Sequence, residues 1–328
     1  MSDDKLNEFL YRTRLAEPGE TIEWNALSGG ISSDIWRVDL PERSICVKRA
    51  LPQLRVEAEW LAPVERNNFE WEWFKFVDAN FDGIVPRPLA QDREMGMLAM
   101  EYLSPLEFVN WKTELLTGTA DADFAAKVGR TLALIHSKSA GDAAVREIFA
   151  TDDLFYALRI EPYLLATAGK HPDLAPHIKR VADETLAAKI ALVHGDVSPK
   201  NILKGRENPV FLDAETAWYG DPAFDVAFCV NHFLLKAVLL PVRTMDFIKC
   251  FSVFCDAYLS EVNWEPAEDI NLRSSRLLPM LFLARVDGKS PVEYLTEDSQ
   301  KDRVRSLARR FMAESSTLSG ISQIFSAG

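Results

Sequence analysis

Leu192-Val193-His194-Gly195-Asp196-Val197-Ser198-Pro199-Lys200-Asn201-Ile202-Leu203 is followed closely by Pro209-Val210-Phe211-Leu212-Asp213-Ala214-Glu215. Two apolar runs, Ala191–Val193 and Val210–Leu212, read as short buried strands, and each delivers an acid at its end. Pro199 and Asn201 lie between them, followed by a Lys204-Gly205-Arg206-Glu207-Asn208 turn. The expectation is a hairpin-like pair of strands with Asp196, Asn201 and Asp213 gathered at one rim. A turn-capping role for either acid would explain one of them, but not the whole run.

That inventory suits phosphoryl transfer. One carboxylate must orient and deprotonate a hydroxyl, while an amide oxygen and a second carboxylate hold Mg²⁺ against phosphates. The protein-kinase pattern H-R-D-x-x-x-x-N followed by D-F-G has this layout. Here the spacing His194-Gly195-Asp196, Asn201, Asp213 is kept, but the middle residue of each triplet differs. His-Gly-Asp and Asp-x-Glu, with Gly220-Asp221-Pro222-Ala223-Phe224-Asp225-Val226-Ala227 downstream, resemble the aminoglycoside phosphotransferase and choline kinase-like family of small-molecule kinases.

The resemblance implies an α+β, two-lobe protein kinase-like fold. Residues 1–103 would form an N-lobe of small antiparallel β-sheet plus helix, and 104–328 a mainly helical C-lobe. It also implies roles: Asp196 as the catalytic base, and Asn201 and Asp213 as Mg²⁺ ligands. Glu215, two residues past Asp213 on the same side of an extended chain, can touch metal directly or through water. Asp225 would steady the catalytic-loop backbone.

Upstream, Ser28-Gly29-Gly30-Ile31-Ser32-Ser33 lies between two β-like runs and reads as a hairpin tip whose backbone N–H groups can cradle phosphates. It is similar to the family's G-G-x-S-N loop, with Ser33 in place of Asn and Trp36 in place of a later Tyr. On that likeness Gly29, Gly30, Ser32 and Ser33 are nucleotide-contacting candidates. Lys48, on the next β-branched run, would hold the α/β-phosphates. The stretch from Leu54 to Ala79 has a helical pattern; Glu70 is the expected partner of Lys48, with Glu72 as runner-up. Leu98–Pro105 reads as a strand ending in a linker, by resemblance the interlobe hinge. Met100 would wall the adenine site, and the backbones of Glu101 and Leu103 would bond its edge. His136 closes an amphipathic helix and reads as structural.

The rest is bounded by composition. A length of 328 residues allows two packed lobes, and a net charge of −12 argues against a nucleic-acid surface. Cys46, Cys229, Cys250 and Cys255 have no metal-binding spacing and read as reduced thiols of a cytoplasmic protein. The N-terminus opens no signal peptide. The apolar window from Phe224 to Leu240 is interrupted by Asp225, Asn231, His232 and Lys236, so it reads as a core helix and not a membrane span. Residues 1–20 suggest a polar helix. Residues 151–190 are expected to be helical, broken at Pro162, Pro172 and Pro176.

The combined expectation is an ATP- and Mg²⁺-dependent kinase of a small hydroxyl metabolite, with no nucleic-acid or membrane partner. Asp152, Asp153, Glu161, Asp256 and Glu261, with Tyr156, Tyr163, Phe233 and Tyr258, suggest an amine-bearing acceptor. The alternative is a degenerate, non-catalytic nucleotide-binding module. A protein kinase is disfavoured because only eleven residues separate Asp213 from Asp225.

Overall fold

The computed structural model describes residues 3–27, 32–53 and 63–327. Gly29 and Gly30, both expected at the phosphate loop, lie outside the described residues. Five strands build an antiparallel sheet: β1 (Glu23–Ala26), β2 (Ser33–Asp39), β3 (Ser44–Ala50), β4 (Pro88–Asp92) and β5 (Met97–Glu101), in the order β1-β2-β3-β5-β4. Alternation along β3 decides what each face does. Ile45 and Val47 face outward and pack with Leu6, Phe9 and Leu10 of the helix Asp3–Arg12. That helix is shorter than 1–20, and its apolar stripe covers the sheet's outer face. Cys46 and Lys48 take the opposite face. Cys46 joins the main core with Met100 and with Trp73 and Phe74 of the helix Arg66–Asn80.

That helix begins at Arg66, so helix is described over only part of the stretch expected from Leu54; residues 54–62 lie outside the described residues. The remaining chain is mostly helical. Its small strands are β6 (Val109–Asn110), β7 (Ala191–Val193), β8 (Ile202–Lys204), β9 (Pro209–Phe211) and β10 (Trp218–Gly220).

The expected strand pair is corrected here. β7 does not face β9. It pairs antiparallel with β10, while β9 pairs with β8 across the Gly205 turn. The 3-10 turn Pro199–Asn201 reverses the chain before β8, so β8 takes the partner assigned to β7. The rim is still assembled, because Leu212 N–H donates to Asn201 C=O at 2.9 Å.

Pro162 is a second correction. It does not break the helix. Residues Tyr156–Leu165 form a π-helical segment that runs on into Ala166–Lys170, and Ala166 N–H donates to Glu161 C=O. The wider turn accommodates a ring that lacks an N–H donor. Pro172 does fall in a gap between helices, whereas Pro176 sits in the first turn of Ala175–Ala187. All four cysteines are buried free thiols. Among the described residues, no helix is long and apolar enough to cross a membrane.

Candidate active site

A cleft of about 410 Å³ separates the sheet from the β8–β9 hairpin. Cys46 and Met100 line it from the sheet, and Leu203 and Leu212 from the hairpin side. Glu101 and Leu103 of the connecting segment also line it. The Glu101 N–H is given to Arg87 C=O at 2.9 Å. Ser32 lines the cleft but Ser33 does not; Ser33 is buried in β2 with its hydroxyl unpartnered.

At the polar end, Lys48 Nζ lies 2.8 Å from Glu70 and in contact with Asp213. Glu72 is on the other side of its helix, paired with Lys75 at 2.7 Å and Arg93 at 3.0 Å. The choice left open by sequence is thereby settled geometrically for Glu70. Burial would discharge Lys48, but Asp213, Glu70 and Glu215 outweigh it and hold the ammonium well above its ordinary range. Burial pushes Glu70 upward against the pull of Lys48. We expect Glu70→Ala to lower kcat/KM for nucleotide by about tenfold or more, since charge-assisted hydrogen bonds contribute roughly 1.5–3 kcal/mol. Glu72→Ala should stay within about twofold, as surface pairs contribute about 0–1 kcal/mol. Steady-state kinetics on the two variants checks this, and equal losses would overturn the pairing.

Glu215 is held from a second direction. Its carboxylate receives Arg66 Nε at 3.0 Å and stands 4.0 Å from Lys48 Nζ. Arg66, fully buried, also donates to the carbonyls of Pro63, at 2.9 Å, Leu51, at 2.7 Å, and Ser32. It ties the sheet, the start of its own helix and the Asp213 loop together. The helical pattern from Leu54 to Ala79 gave Arg66 no role.

Several contacts hold the loop carrying Asp196. Asp225 accepts His194 N–H at 2.7 Å and Gly195 N–H at 2.9 Å. His136, buried, bonds Tyr258 at 2.7 Å and Asp225 at 3.3 Å, so it supports the acid that supports the loop. His194 Nδ1 accepts Asp196 N–H at 3.2 Å, while Nε2 lies 3.0 Å from Leu212 C=O. This arrangement suits a neutral ring, and burial lowers its pKa accordingly.

Gly195 has φ +79°, and a Cβ there would lie 2.6 Å from Thr216 C=O. That explains His-Gly-Asp where the protein-kinase pattern has His-Arg-Asp. Gly195→Ala is expected to lower unfolding stability by about 1–3 kcal/mol from backbone strain, plus the cost of the close approach, read by denaturant titration. Asp213 is one of two non-glycine residues among those described with positive φ, at +64°.

Asp196 itself borders a different cavity, of about 150 Å³, which shares Lys200 with the cleft. Arg159 NH2 and Lys200 Nζ each lie 3.2 Å from its carboxylate. Burial opposes ionisation, but Lys200 and then Arg159 outweigh it and hold the carboxyl well below its ordinary range. Arg159 comes from the π-helical segment, also bonds Gly195 C=O, and was missed by sequence reading. Asn201 donates its amide to Asp196 C=O at 3.1 Å and lines the cleft with Asp213. An amide oxygen and a carboxylate are hard donors of the type Mg²⁺ takes, so the residues present fit that ion.

The acids expected around the acceptor are elsewhere. Asp152 bonds Trp218 and Lys189, Glu161 pairs with Lys289, and Glu261 pairs with Arg130. Of the named aromatics only Tyr163 lines the Asp196 cavity; the rest of its charged lining is Lys112, Lys200, Lys236, Arg285 and Glu293. The acids that suggested an amine-bearing acceptor thus do not line this cavity. Asp152, Glu161 and Glu261 are engaged in surface or local ion pairs.

Comparison with known proteins agrees with this geometry. The model of the phosphotransferase enzyme family (APH) matches residues 23–244. A methylthioribose kinase of Escherichia coli is 27% identical over 259 residues, 68% of this chain and 60% of that protein. One from Bacillus cereus is 25% identical over 250 residues, 68% and 63% of the two chains. The matches thus span less than two thirds of these relatives' own length. An ethanolamine kinase of Plasmodium vivax superposes with a TM-score of 0.56 at 14% identity, covering 97% of this chain and 84% of that one. A choline kinase from Cryptosporidium parvum Iowa II gives 0.56 at 11%, covering 95% and 96%. At such identities the likeness is one of fold, the two-lobe kinase-like architecture. The family model covers more than half the sequence, and the chain belongs to the phosphotransferase enzyme family.

Proposed function

We propose that this chain is a small-molecule kinase that transfers the terminal phosphoryl group of ATP, with Mg²⁺, to a metabolite hydroxyl. Residues 1–103 would form the nucleotide lobe and 104–328 the helical lobe. The observation that carries this reading is the pair of cavities sharing Lys200, one lined by Lys48, Asn201 and Asp213 and the other by Asp196. Lys48, braced by Glu70, orients the phosphates, and Asp196 receives the acceptor's hydroxyl proton. Asn201 and Asp213 would hold Mg²⁺, which supplies charge neutralisation for phosphoryl transfer when bound. Glu215, held by Arg66 and 4.0 Å from Lys48, would touch the metal directly or through water.

A small acceptor is supported by the segment after Asp213. Residues 214–225 are buried throughout, so they offer no surface on which a peptide could lie. The alternative, a nucleotide-binding module without turnover, is not favoured by any broken position among Lys48, Asp196, Asn201 and Asp213. Thermal shift with ATP and Mg²⁺, followed by coupled ADP release with hydroxylated metabolites, separates the two. Binding without acceptor-dependent ADP release would leave only the module.

A further inference from the structure

The cavity beside Asp196 has an unusual charge balance. Lys112 is paired with Glu293, and Lys200 with Asp196. Lys236 and Arg285 have no carboxylate within ion-pair distance among the described residues. Lys236 is 1% exposed, on the helix Ala223–Leu239, with its ammonium 3.5 Å from the Tyr294 ring centre. Arg285, on the helix Ala267–Asp287, spends NH1 on Tyr163 and Ser290 while its Nε has no partner. Three other buried atoms around this cavity are also unpartnered: His232 Nε2, Tyr294 Oη and Ser198 Oγ. Buried polar atoms are normally satisfied, so these atoms clustered on one cavity suit a polar ligand.

We propose that the acceptor carries an anionic group, a carboxylate or a phosphate, in addition to its reacting hydroxyl, and that Lys236 and Arg285 bind that group. This rests on the phosphotransferase reading above. The acceptor oxygen forms a bond to the γ-phosphorus of ATP while the bond to the β,γ-bridging oxygen breaks. ADP leaves, and the hydroxyl proton passes to Asp196 and on to water. The anionic end of the acceptor lies against Lys236 and Arg285, with the hydroxyl at Asp196. An ammonium in the same place would meet two cations and no free carboxylate, since Asp196 and Glu293 are already paired. Burial, then Lys112 and Arg285, outweigh the pull of Glu293 and push Lys236 down to about 7, so a bound anion would add counter-charge there.

The test has two arms. The first is coupled ADP release, with ³¹P detection of product, on matched acceptors: glycerol, ethanolamine, glycerate and glycerol 3-phosphate, then glucose, glucosamine, gluconate and glucose 6-phosphate. The acidic members are expected to exceed their neutral and amine counterparts in kcat/KM by about tenfold or more, a single charge-assisted contact being sufficient. Carboxylate and phosphate members distinguish the two anions. Lys236→Met and Arg285→Met should raise KM for the acidic acceptor while changing kcat much less. Preference for a neutral or amine member, or unchanged selectivity in both variants, overturns the proposal.

The second arm titrates inorganic phosphate and acetate calorimetrically with the nucleotide cleft saturated by ADP and Mg²⁺. Binding of at least one anion to wild type and its loss in either variant is expected. Absence of binding of both overturns the proposal even if turnover is seen. Binding without any phosphorylation supports the pocket's charge preference and counts against the phosphotransferase reading instead.

Discussion

Asp196→Asn is expected to reduce kcat by about 10²–10⁴-fold, the usual cost of losing a general base. MgATP affinity should change little. The carboxylate borders the smaller cavity and not the cleft that holds Lys48 and Asp213. The amide keeps the side chain's volume and can still meet Lys200 or Arg159 through its oxygen, so the loop should stay folded. What it loses is the capacity to take a proton and the charge that those two cations hold in place. Steady-state ADP release reports kcat, and calorimetry reports nucleotide binding. A variant retaining more than half of wild-type kcat would remove Asp196 from the chemistry.

Asp213→Ala is expected to abolish the Mg²⁺-dependent gain in ATP affinity and to lower kcat/KM by about 10²-fold or more, the scale of a lost electrostatic group at the reacting phosphate. Asp213 also contacts Lys48, so its removal leaves that ammonium leaning on Glu70 alone, with Glu215 more distant and engaged by Arg66. Asp213→Asn separates the effects because it keeps the size and an oxygen donor but not the charge. Calorimetric ATP titration with and without Mg²⁺ checks the claim. An unchanged Mg²⁺ dependence in both variants would place the ion elsewhere, and thermal unfolding would expose a merely structural loss.

Much of the fold was readable because its signals are local. His194-Gly195-Asp196, Asn201 and Asp213 lie within one short stretch, where spacing is preserved regardless of packing. Lys48 and Glu70 are 22 residues apart, and the likeness to the kinase pattern joined them where no local signal could. Strand pairing was less readable. β7 and β9 are both short apolar runs, and nothing within three residues specifies which partner each takes. Pro162 misled for a similar reason: its penalty is real in an α-helix, but a π-helical turn removes it.

The acceptor cavity was the least legible part. Its walls come from residues 112 to 294, and sequence separation hides their convergence. One signal was present. His232 and Lys236 are four residues apart on a largely apolar helix, four and eight residues after Phe228, and all three line the cavity. Those polar interruptions were used to exclude a membrane span and not to seek a site. Conversely, Glu161 and Glu261 resembled pocket acids only because their partners, Lys289 and Arg130, are 128 and 131 residues away.

The central claim is acceptor-dependent phosphoryl transfer at Asp196. It is tested most directly by ³¹P NMR of wild type and Asp196→Asn incubated with MgATP and a broad set of hydroxylated metabolites, with generic proteins as controls. The account predicts a new phosphate monoester on a small molecule, formed in step with ADP by wild type and nearly absent with the variant. Phosphate appearing only on protein, or an equal yield of ester from Asp196→Asn, would contradict it.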